Sequence, residues 1–116
     1  MKTILLLSFL LAGSVVRAEQ HPSFQMSASA KRQLAEKAIA LKPGDSLQTV
    51  TNALGTASFD QPLLGKDSRE IVGRELRYFA VIWHSGPGEE QQNELVDVTL
   101  DKAGRVRSVY IRLTLN

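Results

Sequence analysis

The sequence has no cysteine and little excess charge, and both features exclude classes of function. Without thiols the chain forms no disulfide, no thiolate metal site and no cysteine nucleophile. Its 116 residues carry 14 Lys and Arg against 12 Asp and Glu. A small basic protein of this kind is a candidate for nucleic-acid or membrane-surface binding, so the position of the basic excess matters.

The basic excess lies in the N-terminal segment. A positive start is followed by a mainly apolar run at residues 4–12, and Val16 and Ala18 place small residues at the −3 and −1 cleavage positions. This layout is typical of a secretory signal peptide and is too short for a membrane span of about 20 residues. Removal of residues 1–18 takes away Lys2 and Arg17, which leaves twelve charges of each sign. The neutral mature chain gives no general electrostatic case for nucleic acid.

The leader also predicts the location of the protein. Residues 10–14 (LLAGS) are similar to the bacterial lipoprotein box, with Ser14 in the place of the lipidated cysteine. A chance match in a leucine- and alanine-rich leader explains the similarity at least as well. A serine hydroxyl is no substitute for the thiol, so either interpretation predicts a periplasmic protein with no lipid anchor, cleaved after Ala18.

The mature chain predicts an α+β fold, with two short N-terminal helices packed on a three-stranded antiparallel β-meander. A flexible arm at 19–28 precedes a single domain at 29–116. Apolar residues at spacings of three and four predict helices from Ser29 to Leu41 and over 46–54.

Three later runs predict the meander. Residues 75–84, 94–100 and 105–115 are rich in aromatic and β-branched side chains, which favours strands. Residues 56–73 mix proline, glycine and charges, which predicts a long loop with, at most, a short strand near 70–72. The apolar faces of the last two strands match only if a bulge lies near residues 104–106.

The second predicted helix carries the clearest local motif. Asp45 is suited to cap its start, with Gln48 three residues later as in a capping box. Gly44 frees the preceding turn, and Gly55 suits a left-handed cap at the end. The predicted structural motif comprises Gly44, Asp45, Gln48, Val50, Leu54 and Gly55.

The first predicted strand is apolar on both faces, and two helices cover only one face of a sheet. One interpretation is that Phe79, Trp83 and Tyr110 form a binding surface on the uncovered face, with arginines at its rim. The alternative, of similar weight, is that Phe79 and Trp83 belong to the core. The candidate partner-binding residues are Arg77, Phe79, Trp83, His84, Tyr110 and Arg112.

The pattern of residues 40–112 resembles the SmpA/OmlA family of small BamE-like proteins of the bacterial outer membrane. The run from Gly44 to Thr56 is similar to the family's G-x-x-x-x-x-V-x-x-x-L-G signature. Tyr78-Phe79, Pro87-Gly88-Glu89, residues 95–100 and Gly104-Arg105-Val106 follow in the family's order. The resemblance implies two helices on a three-stranded sheet and a non-enzymatic role in barrel assembly, with a partner subunit and anionic phospholipid as ligands.

Three departures identify a divergent, non-lipidated member. The anchoring cysteine is absent, and residues 19–30 lack the extended segment that members carry before the first helix. His84 stands where members place a basic residue, and histidine is mostly neutral at pH 7. These departures argue against contact with membrane lipid.

Charges are split between the last two predicted strands. Residues 84–97 carry four acidic and no Lys or Arg side chains, whereas residues 101–116 carry four basic side chains against one acidic. Cross-strand ion pairs are the favoured explanation. The alternative is a charged end of the sheet that steers a polar partner.

Catalysis has little support. His21 and His84 are the only histidines, and no spacing brings a serine and a carboxylate to either. We therefore predict no catalytic, metal or cofactor site. The predicted function is a periplasmic, non-enzymatic protein-binding module in cell-envelope or outer-membrane protein assembly or maintenance. The alternative is an inhibitor or immunity protein that blocks a secreted or periplasmic enzyme, and a homodimer through the apolar face is compatible with both.

Overall fold

The computed structural model describes residues 22–67, 69–83 and 93–115. The described chain forms a five-stranded sheet and two helices. The elements are β1 (Pro22–Gln25), α1 (Ala28–Ile39), α2 (Leu47–Leu54), β2 (Phe59–Leu64), β3 (Ile71–Trp83), β4 (Glu94–Asp101) and β5 (Val106–Arg112). All neighbouring strands are antiparallel, in the order β1-β3-β4-β5. β2 pairs with the first half of β3, on the edge that β1 occupies further along.

The expectation of a three-stranded meander is wrong, although the α+β class agrees with the fold. β1 lies in the segment expected to be a flexible arm, and β2 lies in the expected loop at 56–73. Pro62 favours a loop, but β3 is the only described strand that pairs with β2, and an edge strand tolerates a residue that has no N–H to donate. β3 is also longer than expected, because it begins at Ile71 rather than at residue 75.

The predicted capping box of α2 is displaced by one residue. Ser46 is the N-cap, and its Oγ accepts a hydrogen bond from the N–H of Thr49 at 3.1 Å. Asp45 instead accepts from the N–H of Lys42 at 2.8 Å, which closes the turn before the helix. The side-chain amide of Gln48 donates to Oδ1 of Asn52, one turn further along the helix, at 2.8 Å.

The remaining residues of that motif hold α2 against the sheet. Val50 is fully buried, and Leu54 packs against the core. Gly55 ends the helix at φ 82° and ψ −156°, outside the left-handed helical region and in one that is essentially restricted to glycine. Its carbonyl accepts a hydrogen bond from the Tyr78 hydroxyl at 3.0 Å, which ties the end of α2 to β3. Gly44 donates its N–H to β5 at 2.8 Å.

The core lies between the two helices and one face of the sheet. Alternate residues of β3 and β4 meet across the strands on this face, as in the pairs Leu76–Val98 and Tyr78–Val96. The helices contribute their buried stripe to the same cluster. The most deeply buried members are Ala38, Val50, Leu76, Ala80, Val81, Val96, Val98 and Leu100.

Two irregularities set which side chains reach the core. The β3–β4 register shifts between Phe79 and Val81, so the consecutive residues Ala80 and Val81 are both buried. This bulge reverses the alternation of β3, and Trp83 therefore packs against the core. The β4–β5 register shifts between the partners Val106 and Ser108, close to the bulge predicted at residues 104–106.

Candidate functional site

The face of the sheet opposite the core carries the most distinctive cluster of polar and aromatic side chains. We call it the open face. The pairing register aligns its side chains in three rows across the strands. The rows are Phe79, Leu95 and Arg112; Phe59, Arg77, Asp97 and Tyr110; and Gln61, Glu75, Thr99 and Ser108.

A hydrogen-bonded charge network occupies the centre of the open face. Nη2 of Arg77 donates to Glu75 at 2.6 Å and to Asp97 at 3.1 Å. Gln61 of β2 donates to the second oxygen of Glu75 at 3.1 Å. The Glu75 and Asp97 side chains are only 14% and 16% exposed, and that of Arg77 is 32% exposed. One guanidinium therefore serves two carboxylates that are largely withdrawn from water.

The network leaves two buried polar atoms without a hydrogen-bond partner among the described residues. They are Nε of Arg77 and Oδ1 of Asp97. Unpaired buried polar atoms are costly, and the cost is greatest for charged groups. The charged form of Asp97 is therefore poorly compensated by the protein around it.

The surroundings of the two carboxyl groups separate their pKa values. Burial raises the pKa of Asp97 to about 6, and the neighbouring Glu75 carboxyl group acts in the same direction against the attraction of Arg77. The interaction with Asp97 lowers the pKa of Glu75, and Gln61 and Arg77 add to this effect against the cost of burial. Asp97 is thus the member of the pair that holds a proton as the pH falls. The centre changes from neutral to negative as the pH rises through about 6.

Aromatic rings flank this network. Cζ of Arg77 lies 5.7 Å from the centroid of the Phe59 ring, within the range of a cation–π contact. Phe59 is 41% exposed and Tyr110, beside Asp97, is 54% exposed. Phe79 is half-buried in the next row. The open face therefore has apolar, solvent-accessible rings around a partly desolvated charged centre.

The predicted partner-binding residues fall into three groups. Arg77, Phe79, Tyr110 and Arg112 share the open face. Trp83 does not, because the β3 bulge turns it to the helix side. His84 lies outside the described residues, as do the leader, Ser14 and His21.

Sequence reasoning missed Phe59 and Gln61, the two side chains that β2 adds to the open face. Alternation at positions 59, 61 and 63 is present in the sequence, but Pro62 and the charges that follow it favoured a loop. It also missed the ion-pair partners. Asp97 pairs with Arg77 on β3 and Glu94 pairs with Lys31 on α1 at 2.9 Å, so the expected pairs with β5 are wrong for these two residues.

A separate cleft of about 360 Å³ lies on the helix side, between the start of α2 and the β2–β3 hairpin. Its basic groups already have partners: Arg74 contacts Asp60 at 2.6 Å, and Lys102 lies 3.5 Å from Glu70. Neutralised, solvent-exposed pairs of this kind contribute little to ligand recognition, so this cleft is a weaker candidate.

Within the ranges that the structure describes, no three His, Asp or Glu side chains converge in a way that suits a metal ion. No helix in the same ranges has the length and apolar character needed to cross a membrane. The open face offers a partner hydrophobic contact, cation–π contact and charge pairing that depends on pH near 6.

Comparison with known proteins identifies no relative, since no family model, curated protein or solved structure matches the chain.

Proposed function

We propose that the protein is exported to the periplasm and acts there as a non-enzymatic protein-binding module in the assembly or maintenance of the cell envelope. In this proposal the open face is the partner-binding surface. The observation that carries it is the combination of exposed aromatic rings with Arg77 on one face of the hydrogen-bonded sheet. Aromatic residues and arginine are enriched at the centres of protein interfaces.

The arrangement of the open face supports binding more than catalysis. Phe59, Tyr110 and Arg77 come from three different strands whose backbones are paired, so little ordering is needed when a partner binds. The carboxylates beneath Arg77 fix its guanidinium in one position. A rigid arginine next to aromatic rings offers a partner both apolar area and a directed charge.

The sequence supports the cellular assignment. The N-terminal layout is that of a signal peptide, and the absence of cysteine is compatible with export without lipid attachment. The resemblance of residues 40–112 to the SmpA/OmlA family supports an envelope role.

Partner capture tests the proposed surface. The mature protein is cross-linked in envelope extract, and captured proteins are compared with those of a Phe59→Ala/Tyr110→Ala double variant. Ile71→Ala is the matched control, because Ile71 is 54% exposed but lines the helix-side cleft. We expect the double variant to lose the partner and the control to keep it. Capture that the double variant leaves unchanged overturns the proposal.

The identity of the captured protein separates the two functional classes. Envelope-assembly subunits support the proposal, whereas a single soluble enzyme that loses activity when bound supports an inhibitor. Mass spectrometry of the mature protein tests export separately. A chain that begins at Glu19 is expected, and an uncleaved or acylated chain contradicts the assignment.

A further inference from the structure

The outer edge of β5 is a second surface with unused binding capacity. β5 is the last strand in the sheet and pairs only with β4 among the described strands. At its start the outer side is already hydrogen-bonded: Val106 accepts from the Gly44 N–H and donates to the Asp45 carbonyl, both at 2.8 Å. Ser46 and Arg105 form an antiparallel bridge next to these bonds. Beyond Val106, the described residues supply no strand to this edge, and an edge strand presents unpaired N–H and C=O groups.

An apolar groove follows the same edge on the helix side. It lies between the end of α1 and β5, with a volume of about 330 Å³. Ile39 at its rim is 72% exposed, which is unusual for a large apolar side chain in the last turn of an amphipathic helix. Val109 and Ile111 form the β5 wall, and Leu41 lies on the helix side. A strand added to β5 would place every second side chain over this groove.

The charge on the edge is of one sign. Arg105, Arg107 and Arg112 are all exposed, and none of the three forms an ion pair with a carboxylate of the described residues. Arg105 and Arg112 donate only to backbone carbonyls, those of Gly44 and Asn93. The acidic side chains of β4 are engaged elsewhere: Asp97 with Arg77, Glu94 with Lys31, and Asp101 with backbone N–H groups of the β4–β5 turn. The positive charge of these arginines is therefore not neutralised by a described carboxylate along the free edge.

We propose that the β5 edge binds an extended segment of a partner protein in which acidic residues alternate with apolar ones, added to the sheet as a sixth strand. Backbone hydrogen bonds supply the pairing, the apolar residues fill the groove beside Ile39, and the acidic residues meet the arginines of β5. A second copy of this chain fits the edge poorly. Pairing of β5 with a second β5 would bring two edges of the same positive charge together, and like charges disfavour strand pairing.

This inference shares with the proposed function the premise that the protein binds other proteins, and its surface is the β5 edge, which adjoins the open face at Arg112. The probe is a fluorescent peptide of about eight residues that alternates glutamate and valine. Two control peptides are used: one with lysine in place of glutamate, and one acidic peptide that is N-methylated at alternate amides, which removes its hydrogen-bond donors along one side. Affinity is measured by fluorescence anisotropy, and the site is mapped by backbone amide NMR shifts.

We expect the acidic peptide to bind and to shift amides of residues 106–112 and 39–43. The lysine peptide and the N-methylated peptide should each bind at least about tenfold more weakly, because one lacks the charge and the other the strand pairing. Equal binding of either control peptide overturns the inference, as do shifts confined to other parts of the sheet.

Protein variants complete the test. Arg107→Glu should weaken binding of the acidic peptide at least about tenfold, whereas Arg69→Glu, the same charge change on the β2–β3 connection, should alter it far less. Equal effects of the two variants overturn the proposed site. Phe59→Ala on the open face should leave peptide binding unchanged, which separates failure of this inference from failure of the proposed function. Urea midpoints of all variants confirm that each one folds.

Discussion

Replacing Arg77 with methionine tests whether the charge network of the open face controls stability in a pH-dependent way. Methionine keeps much of the length and apolar contact of arginine but removes the cation that contacts Glu75 at 2.6 Å and Asp97 at 3.1 Å. Once both carboxyl groups are ionised, the variant holds two negative charges, on side chains 14% and 16% exposed, with no cation between them.

The stability cost of Arg77→Met follows from how deeply the three charged side chains are buried. Removing one partner of a fully buried ion pair costs about 3–5 kcal/mol. Arg77 is 32% exposed, so water compensates part of the loss, and we expect a cost of about 2–3 kcal/mol at about pH 8. At about pH 5 the folded protein carries a proton on Asp97, whose pKa is about 6, and only one negative charge remains. The cost should then fall to about 1 kcal/mol.

Proton linkage gives the direction in which stability changes with pH. Asp97 binds its proton more tightly in the folded chain than at its ordinary pKa of 3.8, so its contribution to stability is present at low pH and is lost as the pH rises through about 6. Without Arg77 the pKa of Asp97 should rise further, because the largest opposing influence is gone. The variant therefore loses more stability than the wild type as the solution becomes alkaline.

The assay is urea unfolding at about pH 5 and pH 8, followed by the fluorescence of Trp83, the single tryptophan, which packs against the core. Arg74→Met is the matched control. Its partner is Asp60, and the two side chains are 51% and 42% exposed, so the loss should stay below about 1 kcal/mol at either pH. A cost for Arg77→Met that is the same at both pH values refutes the reasoning.

Three further predictions concern the packing that supports the site. Ser46→Ala should lower the free energy of unfolding by about 1 kcal/mol, because it removes the N-cap of α2, whereas Gln48→Ala should have little effect. Comparable losses in the two variants would contradict the assignment of Ser46 as the cap. Gly73→Ala should lower the free energy of unfolding by about 1–3 kcal/mol, since a Cβ at this position meets a backbone carbonyl of β4. An unchanged urea midpoint would contradict this prediction. Tyr78→Phe should cost about 1 kcal/mol through the lost hydrogen bond to the end of α2, and thermal unfolding that matches wild type would show that this bond is not important.

Much of the architecture follows from local patterns. The spacing of Leu34 and Ala38 predicts the buried stripe of α1, although the predicted helix extends to Leu41 and α1 ends at Ile39. The spacing of Leu47, Val50 and Leu54 predicts α2. Alternating apolar residues locate β4 and β5 to within a few residues. These elements are predictable because hydrogen bonds within the segment, or one strongly apolar face, determine them.

The added strands are different, because their stability comes from distant residues. β1 forms since residues 22–25 pair with the far end of β3, and its own composition carries little strand preference. β2 contains proline, and only its position at the edge of the sheet makes that acceptable. Both β1 and β2 are strands because they pair with β3.

In the candidate site, too, local patterns predict some features and tertiary contacts decide the others. Arg77, Phe79, Tyr110 and Arg112 were found from alternation, but Trp83 was assigned to their face because one bulge residue is not visible in a strongly apolar run. A shift of one residue in a strand moves every later side chain to the opposite face. The pairing of Asp97 with Arg77 likewise depends on which strand lies beside β4, and a local charge count contains no such information.

The sequence by itself determined the α+β class, the two helices and the last two strands. Tertiary structure alone decided the five-stranded sheet, which face of β3 is buried, the removal of Trp83 from the open face, the partly desolvated carboxylate pair and the exposure of β5 arginines that have no carboxylate partner among the described residues. The reason is the distance along the chain over which each kind of interaction acts. Periodicity and capping act over a few residues and are written in the order of amino acids, whereas strand neighbours, bulges and burial are set by contacts between residues far apart in the chain.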